Sequence, residues 1–153
     1  MNQRFAFLAD TLDAKCETLL GMSPITAGDV PTDTPVGGVY LFSEGAAHLY
    51  AGRTKRPIRD RIRNQFGPNS SAASFPWLIA REATGRRATY RRAGSRRELL
   101  ADPQFRTQYE NARARVRRMH VRYVHEPDPL RQALLEIYVA VVTGARYNDF
   151  DTH

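Results

Sequence analysis

Apolar positions along the chain recur first at helical spacing, then in short β-prone runs, then at helical spacing again. Phe5, Leu8, Leu12, Cys16, Leu19 and Leu20 fall on one stripe, which predicts a helix over 5–20. Gly21 ends it. Residues 23–35 hold Pro24, Pro31 and Pro35 among Thr and Asp and read as a connector. Residues 37–42 and 46–52 are two β-prone runs separated by Ser43-Glu44-Gly45, which supplies turn chemistry and predicts a hairpin. Ile58, Ile62 and Phe66 then recur at i, i+4 and i+8, one face of a helix whose other faces carry arginine.

Beyond a turn at 67–71, residues 72–84 predict a second helix with Phe75, Leu78, Ile79 and Ala83 turned inward, stopped by Gly85. Trp77 reads as a packing residue rather than a base-stacking platform. A third helix over 96–118, interrupted near Pro103, turns Phe105, Tyr109, Ala112 and Val116 inward. Residues 119–125 alternate Met, Val and Tyr against His and Arg, a strand with one buried face. Asp128 followed by Pro129 predicts an N-cap and a first helical position. The helix that follows, 130–143, is apolar nearly all round, which predicts deep burial. Gly144 closes it, and an ordered tail follows to Phe150.

At 153 residues the chain is long enough for one domain with a core of its own. No apolar run approaches the ~20 residues that span a bilayer, so no membrane partner is expected. The N-terminus is too short and too acidic downstream to read as a leader. A single cysteine, Cys16, allows neither an intrachain disulfide nor a Cys-based zinc site, and a cytoplasmic protein is expected. The balance of 23 Lys+Arg against 16 Asp+Glu leaves +7, which suits a polyanionic partner. The densest positive run holds Arg86, Arg87, Arg91 and Arg92 around Tyr90, with Arg96 and Arg97 following. It reads as a nucleic-acid backbone contact, with Tyr90 able to stack on a base; a solvated loop is the plainer alternative.

Glu136 is the outlier of the apolar helix. A carboxylate there is costly unless it is paired with an arginine or binds a metal. One carboxylate with waters and a phosphate is a usual way to hold Mg²⁺. Tyr40 and Tyr50 on the paired strands and Arg61 on the adjoining helix add groups able to handle a phosphate.

Taken in order, Gly38-Val39-Tyr40, Tyr50-Ala51-Gly52, Arg61, Glu136 and Asn148 resemble the GIY-YIG nuclease family, with Val for Ile in the first motif and Ala for Ile in the second. The likeness spans about 36–148. It implies a small mixed α/β fold with a central three-stranded antiparallel sheet flanked by helices, the strands being the hairpin and 119–125. It divides the chain into an N-terminal helix and connector, 1–35, and a nuclease-like domain, 36–153, carrying a basic helical insertion at about 70–118. It implies a metal-dependent endonuclease using Mg²⁺ or Mn²⁺, with DNA favoured over RNA and a homodimer left open.

The resemblance also implies roles. Tyr40 would act as general base or orient the attacking water, and Tyr50 would contact the scissile phosphate or assist the base. Arg61 would stabilise charge on that phosphate, Glu136 would bind the metal, and Asn148 would support the site by hydrogen bonding. Gly52 lets the backbone pass close to the substrate; Arg53 and Lys55, following the second motif, read as phosphate contacts, with solvated charge the plainer alternative. The chain departs from the family in carrying Gln65 where members place His or Tyr, one helical turn after the arginine. Gln cannot transfer a proton, so His48, Lys55 or His125 would have to serve. This departure sustains a second expectation, a nucleic-acid-binding module with weakened catalysis. A third is an interaction protein that docks a partner through its N-terminal helix and basic surface.

Overall fold

The computed structural model describes residues 1–69, 73–86 and 91–150. In chain order its elements are α1 (Gln3–Ala9), α2 (Leu12–Gly21), β1 (Ile25–Thr26), a 3-10 turn (Ala27–Asp29), β2 (Val36–Glu44), β3 (Ala47–Pro57), α3 (Ile58–Asn64), α4 (Phe75–Thr84), α5 (Arg96–Ala101), α6 (Pro103–Arg118), β4 (His120–His125) and α7 (Pro129–Thr143). They form two compact units, Met1–Arg63 with Met119–His153, and Asn64–Arg118.

The first unit is built on an antiparallel sheet in the order β1-β4-β2-β3. The mixed α/β class and the antiparallel sheet agree with expectation, but there are four strands, not three. The added strand is two residues long, pairing Ile25 with Val121 and Thr26 with His120. Too short to show periodicity, it hides in the Pro- and Thr-rich connector.

Cross-strand register sorts the sheet's side chains. Tyr40 pairs with Gly52 and Tyr123, Phe42 with Tyr50 and Val121; these share one face. Val39 pairs with Arg53 and Val124, Leu41 with Ala51 and Arg122, on the other. On that second face Val39, Leu41, Ala51 and Val124 form a core with Cys16 and Leu19 of α2 and Leu135, Val139 and Ala140 of α7. β4 is an inner strand, so Val121 and Val124 are buried on opposite faces, where one buried face was expected. β3 runs on through Arg53–Pro57, a stretch whose charge reads as a connection in sequence.

α7 begins as its sequence predicts. Asp128 accepts from Arg131 N at 2.8 Å, Pro129 opens the helix, and Gly144 closes it at φ 62°. It is not buried all round. Leu130, Ile137, Val141 and Val142 are 47–67% exposed, because one sheet face covers one side of a helix. The expected helix over 5–20 is two helices, and Asn2 caps the first by accepting from Arg4 N and Phe5 N. The tail is ordered against the outer edge of β3: Arg146 N donates to His48 O and Tyr147 N to Leu49 O, at 3.4 and 2.8 Å. Edge groups that would otherwise invite another strand are thereby paired.

The second unit is helical. Trp77, Ala80, Leu99, Phe105 and Tyr109 form its core, with Trp77 stacked 5.2 Å from Phe105 and tilted 4.8 Å from Tyr109. Trp77 is thus a packing residue. The break before Pro103 has a cause: Asp102 Oδ1 accepts from Gln104 N and Phe105 N at 2.9 and 3.2 Å, starting α6 afresh. Gln65 is fully buried, and its Oε1 accepts from Ser74 N and Phe75 N at 3.1 and 3.0 Å, serving the start of α4.

Candidate active site

Three consecutive residues of β3 receive most of the predicted site, and they do so from three directions. Ala51 is held from the strand's outer edge. Asn148 Oδ1 accepts from its N–H at 2.7 Å, and Asn148 Nδ2 donates to its carbonyl at 2.9 Å. The carboxamide thus reproduces one rung of a β-ladder and fixes the strand beside Tyr50.

Gly52 is covered from one face by Tyr40. A Cβ at position 52 would fall inside contact distance of the Tyr40 hydroxyl and ring. Gly52 therefore makes room for the tyrosine within the fold. Tyr40 is fully buried, and its ring meets Phe42 edge-on at 5.8 Å. Tyr50 is half-buried on the same face, further along β3.

Arg53 projects to the opposite face, towards α7. Its Nε donates to Glu136 Oε2 at 2.8 Å, with the two side chains 42% and 25% exposed. Burial lifts the Glu136 carboxyl above the usual range, and the nearby charges of Arg53 and Arg61 pull it back only in part. Arg61, on α3, thus acts electrostatically on the same carboxylate. Register sets Arg53, with its partner Glu136, on the α7 side of β3 and Tyr40 and Tyr50 on the other. Lys55 is exposed further along the strand.

Glu136 already receives the Arg53 guanidinium at 2.8 Å, so a divalent ion there would share the carboxylate with it. No group of three His, Cys, Asp or Glu side chains gathers among the described residues. Any ion held by Glu136 would take its remaining ligands from water and substrate oxygens, as Mg²⁺ commonly does.

The histidines differ in environment. His48 is half-buried, and its Nδ1 has no hydrogen-bond partner among the described residues. Burial, aided by the charge of Arg122, pushes its pKa down, so the ring is neutral at pH 7. His125 Nδ1 lies 2.9 Å from Gly37 O. Burial, with Asp13 and Glu17 adding to it, raises the Cys16 thiol, leaving it inert.

In the helical unit Arg86 is engaged by Asp102 at 2.6 Å, and Arg91 and Arg92 are exposed. Arg87 and Tyr90 lie outside the described residues. A cleft of about 550 Å³ opens in this unit beside Arg86, Pro103 and Phe105. Apart from Arg86 it holds none of the predicted site residues.

The sequence leaves Glu136 either paired with an arginine or binding a metal, and the structure pairs it with Arg53, a residue the sequence offers as a phosphate contact. Sequence reasoning missed Arg59, whose Nε donates to Val30 O at 3.1 Å and whose N–H donates to Thr34 Oγ1 at 2.9 Å. These bonds tie α3 to the connector, and no sequence pattern announces them. Comparison with family models, with curated proteins and with solved structures finds no match to this chain.

Proposed function

We propose that the protein is a metal-dependent endonuclease of GIY-YIG type, hydrolysing nucleic-acid phosphodiester bonds with DNA favoured over RNA. One observation carries the reading: residues far apart in sequence, Tyr40, Glu136 and Asn148, reach three successive residues of β3, with Arg61 acting on the same carboxylate. The proposed reaction is in-line attack of water on phosphorus, without a covalent intermediate. Arg61 and Arg53 stabilise the charge that builds on the phosphate oxygens. Glu136 would hold a divalent ion, which would offset charge on the leaving oxygen. Tyrosine, with an ordinary pKa near ~10, needs such a cationic setting to take a proton at neutral pH. Tyr50, half-buried where Tyr40 is fully enclosed, is the better placed of the two to meet substrate.

A second reading, a binding module with weakened catalysis, draws support from the enclosure of Tyr40, from the opposed faces of the tyrosines and Glu136, and from the structural role of Gln65. Incubation of the protein with plasmid, single-stranded DNA and RNA separates the two, with Mg²⁺ or Mn²⁺ and with chelator. The nuclease reading expects metal-dependent cutting that the chelator stops. Binding without cutting in any metal favours the module.

A further inference from the structure

The net positive charge of the chain lies in one of its two units. Residues 64–118 contain twelve arginines, no lysine and four acidic residues, a net of +8. The whole chain carries +7, so the other 98 residues carry −1. The unit that holds Tyr40, Arg61 and Glu136 is therefore close to neutral overall.

Several of the twelve arginines serve the fold. Arg86 pairs with Asp102, and Arg96 lies over the Trp77 ring at 4.9 Å. Arg113 bonds Glu110 and donates to Phe66 O at 3.0 Å. Others serve nothing evident in the fold. Arg97 is exposed in the first turn of α5, where a cation opposes the helix dipole. Arg106, Arg117 and Arg118 are exposed along α6.

We infer that this helical unit is a backbone-reading clamp for double-stranded nucleic acid, with Arg97, Arg106, Arg117 and Arg118 contacting phosphates without regard to sequence. Three observations fix the kind of partner. The charge is all guanidinium, the group whose planar fork matches phosphate oxygens. Phe75, Trp77, Phe105 and Tyr109 are buried in the unit itself, and Phe66 is half-buried. Tyr90 lies outside the described residues, and among those described the unit offers no open aromatic platform for unstacked bases, which favours a duplex over a single strand. None of the exposed large apolar side chains among the described residues belongs to this unit, so it lacks the anchors an anionic membrane surface would engage. The inference shares its nucleic-acid partner with the proposed function but not its chemistry.

The test uses the full chain and fluorescence anisotropy on two 25-base-pair duplexes of unrelated sequence, a matching single strand, and anionic phospholipid vesicles, over a salt series. The R97Q/R106Q/R117Q/R118Q variant is expected to lose about 10²-fold or more in duplex affinity. Its slope of log affinity against log salt should fall by about 0.9 for each phosphate contact removed, equally on both sequences. The four-lysine counterpart keeps the charge and should keep most of the slope, which guards against a loss caused by misfolding. Unchanged affinity and slope in the Gln variant would overturn the inference, as would stronger binding to the single strand or to vesicles. A wild type that binds without cutting leaves this inference standing and removes the catalytic one; cutting with unaltered binding in the variant does the reverse.

Discussion

Arg53 Nε lies 2.8 Å from Glu136 Oε2, joining the second strand of the hairpin to the last helix across 83 positions of sequence. The pair is partly open to water, so its coupling should be modest, about 1 kcal/mol or less. A double-mutant cycle of Arg53→Ala and Glu136→Ala, read by urea denaturation, measures it. Arg53→Ala should be the costlier single change, since it leaves a desolvated carboxylate with less compensation. Equal and additive costs would show that the two side chains do not meet in solution.

Gly52 is predicted to tolerate no side chain. Alanine there would press on the Tyr40 ring and hydroxyl, and both are enclosed. Overpacking of this kind costs about 1–3 kcal/mol. Gly52→Ala should lower the urea midpoint accordingly, and an unchanged midpoint would mean that Tyr40 does not pack across the strand.

Asn148 should behave as a strand partner. Asn148→Ala removes a donor and an acceptor from Ala51 and should cost about 1–3 kcal/mol. Asn148→Asp retains the acceptor for Ala51 N but turns a carboxylate oxygen towards Ala51 O, so it should cost more than alanine does at pH 7. Thermal melts of the three proteins give the order directly.

Glu136 gives a signed pH dependence. Its folded-state pKa is raised above the ordinary 4.5, mainly by burial. As pH rises past 4.5 the native state holds more protons than the unfolded chain, and stability falls until the folded pKa is passed. Glu136→Gln lacks this component, so its stability relative to wild type should improve through that window and then level off. A flat stability difference across the window would contradict the burial of this carboxylate.

Much of the scaffold could be read in advance because it rests on local chemistry. The hairpin, the Asp128–Pro129 start, the glycine stops at Gly85 and Gly144 and the break at Pro103 follow from single residues with strong preferences. What escaped depends on tertiary partners. The break at Asp10–Thr11 interrupts an apolar stripe that continues on both sides. β1 exists through its pairing with β4, and α7 is exposed on one side despite its apolar sequence. At the candidate site, residue types and order could be read, but not the face on which each side chain emerges. That depends on register, which sets Arg53 on the α7 side and Tyr50 on the other.

The most direct measurement is the rate of plasmid cleavage in Mg²⁺ by wild type, Glu136→Gln, Arg61→Ala and Tyr50→Phe, each at protein concentrations that saturate binding. The predicted result is metal-dependent cleavage in wild type and a loss of about 10²-fold or more in each variant, with plasmid affinity little changed. Cleavage that proceeds at the wild-type rate in Glu136→Gln and Tyr50→Phe would contradict the assignment of this site.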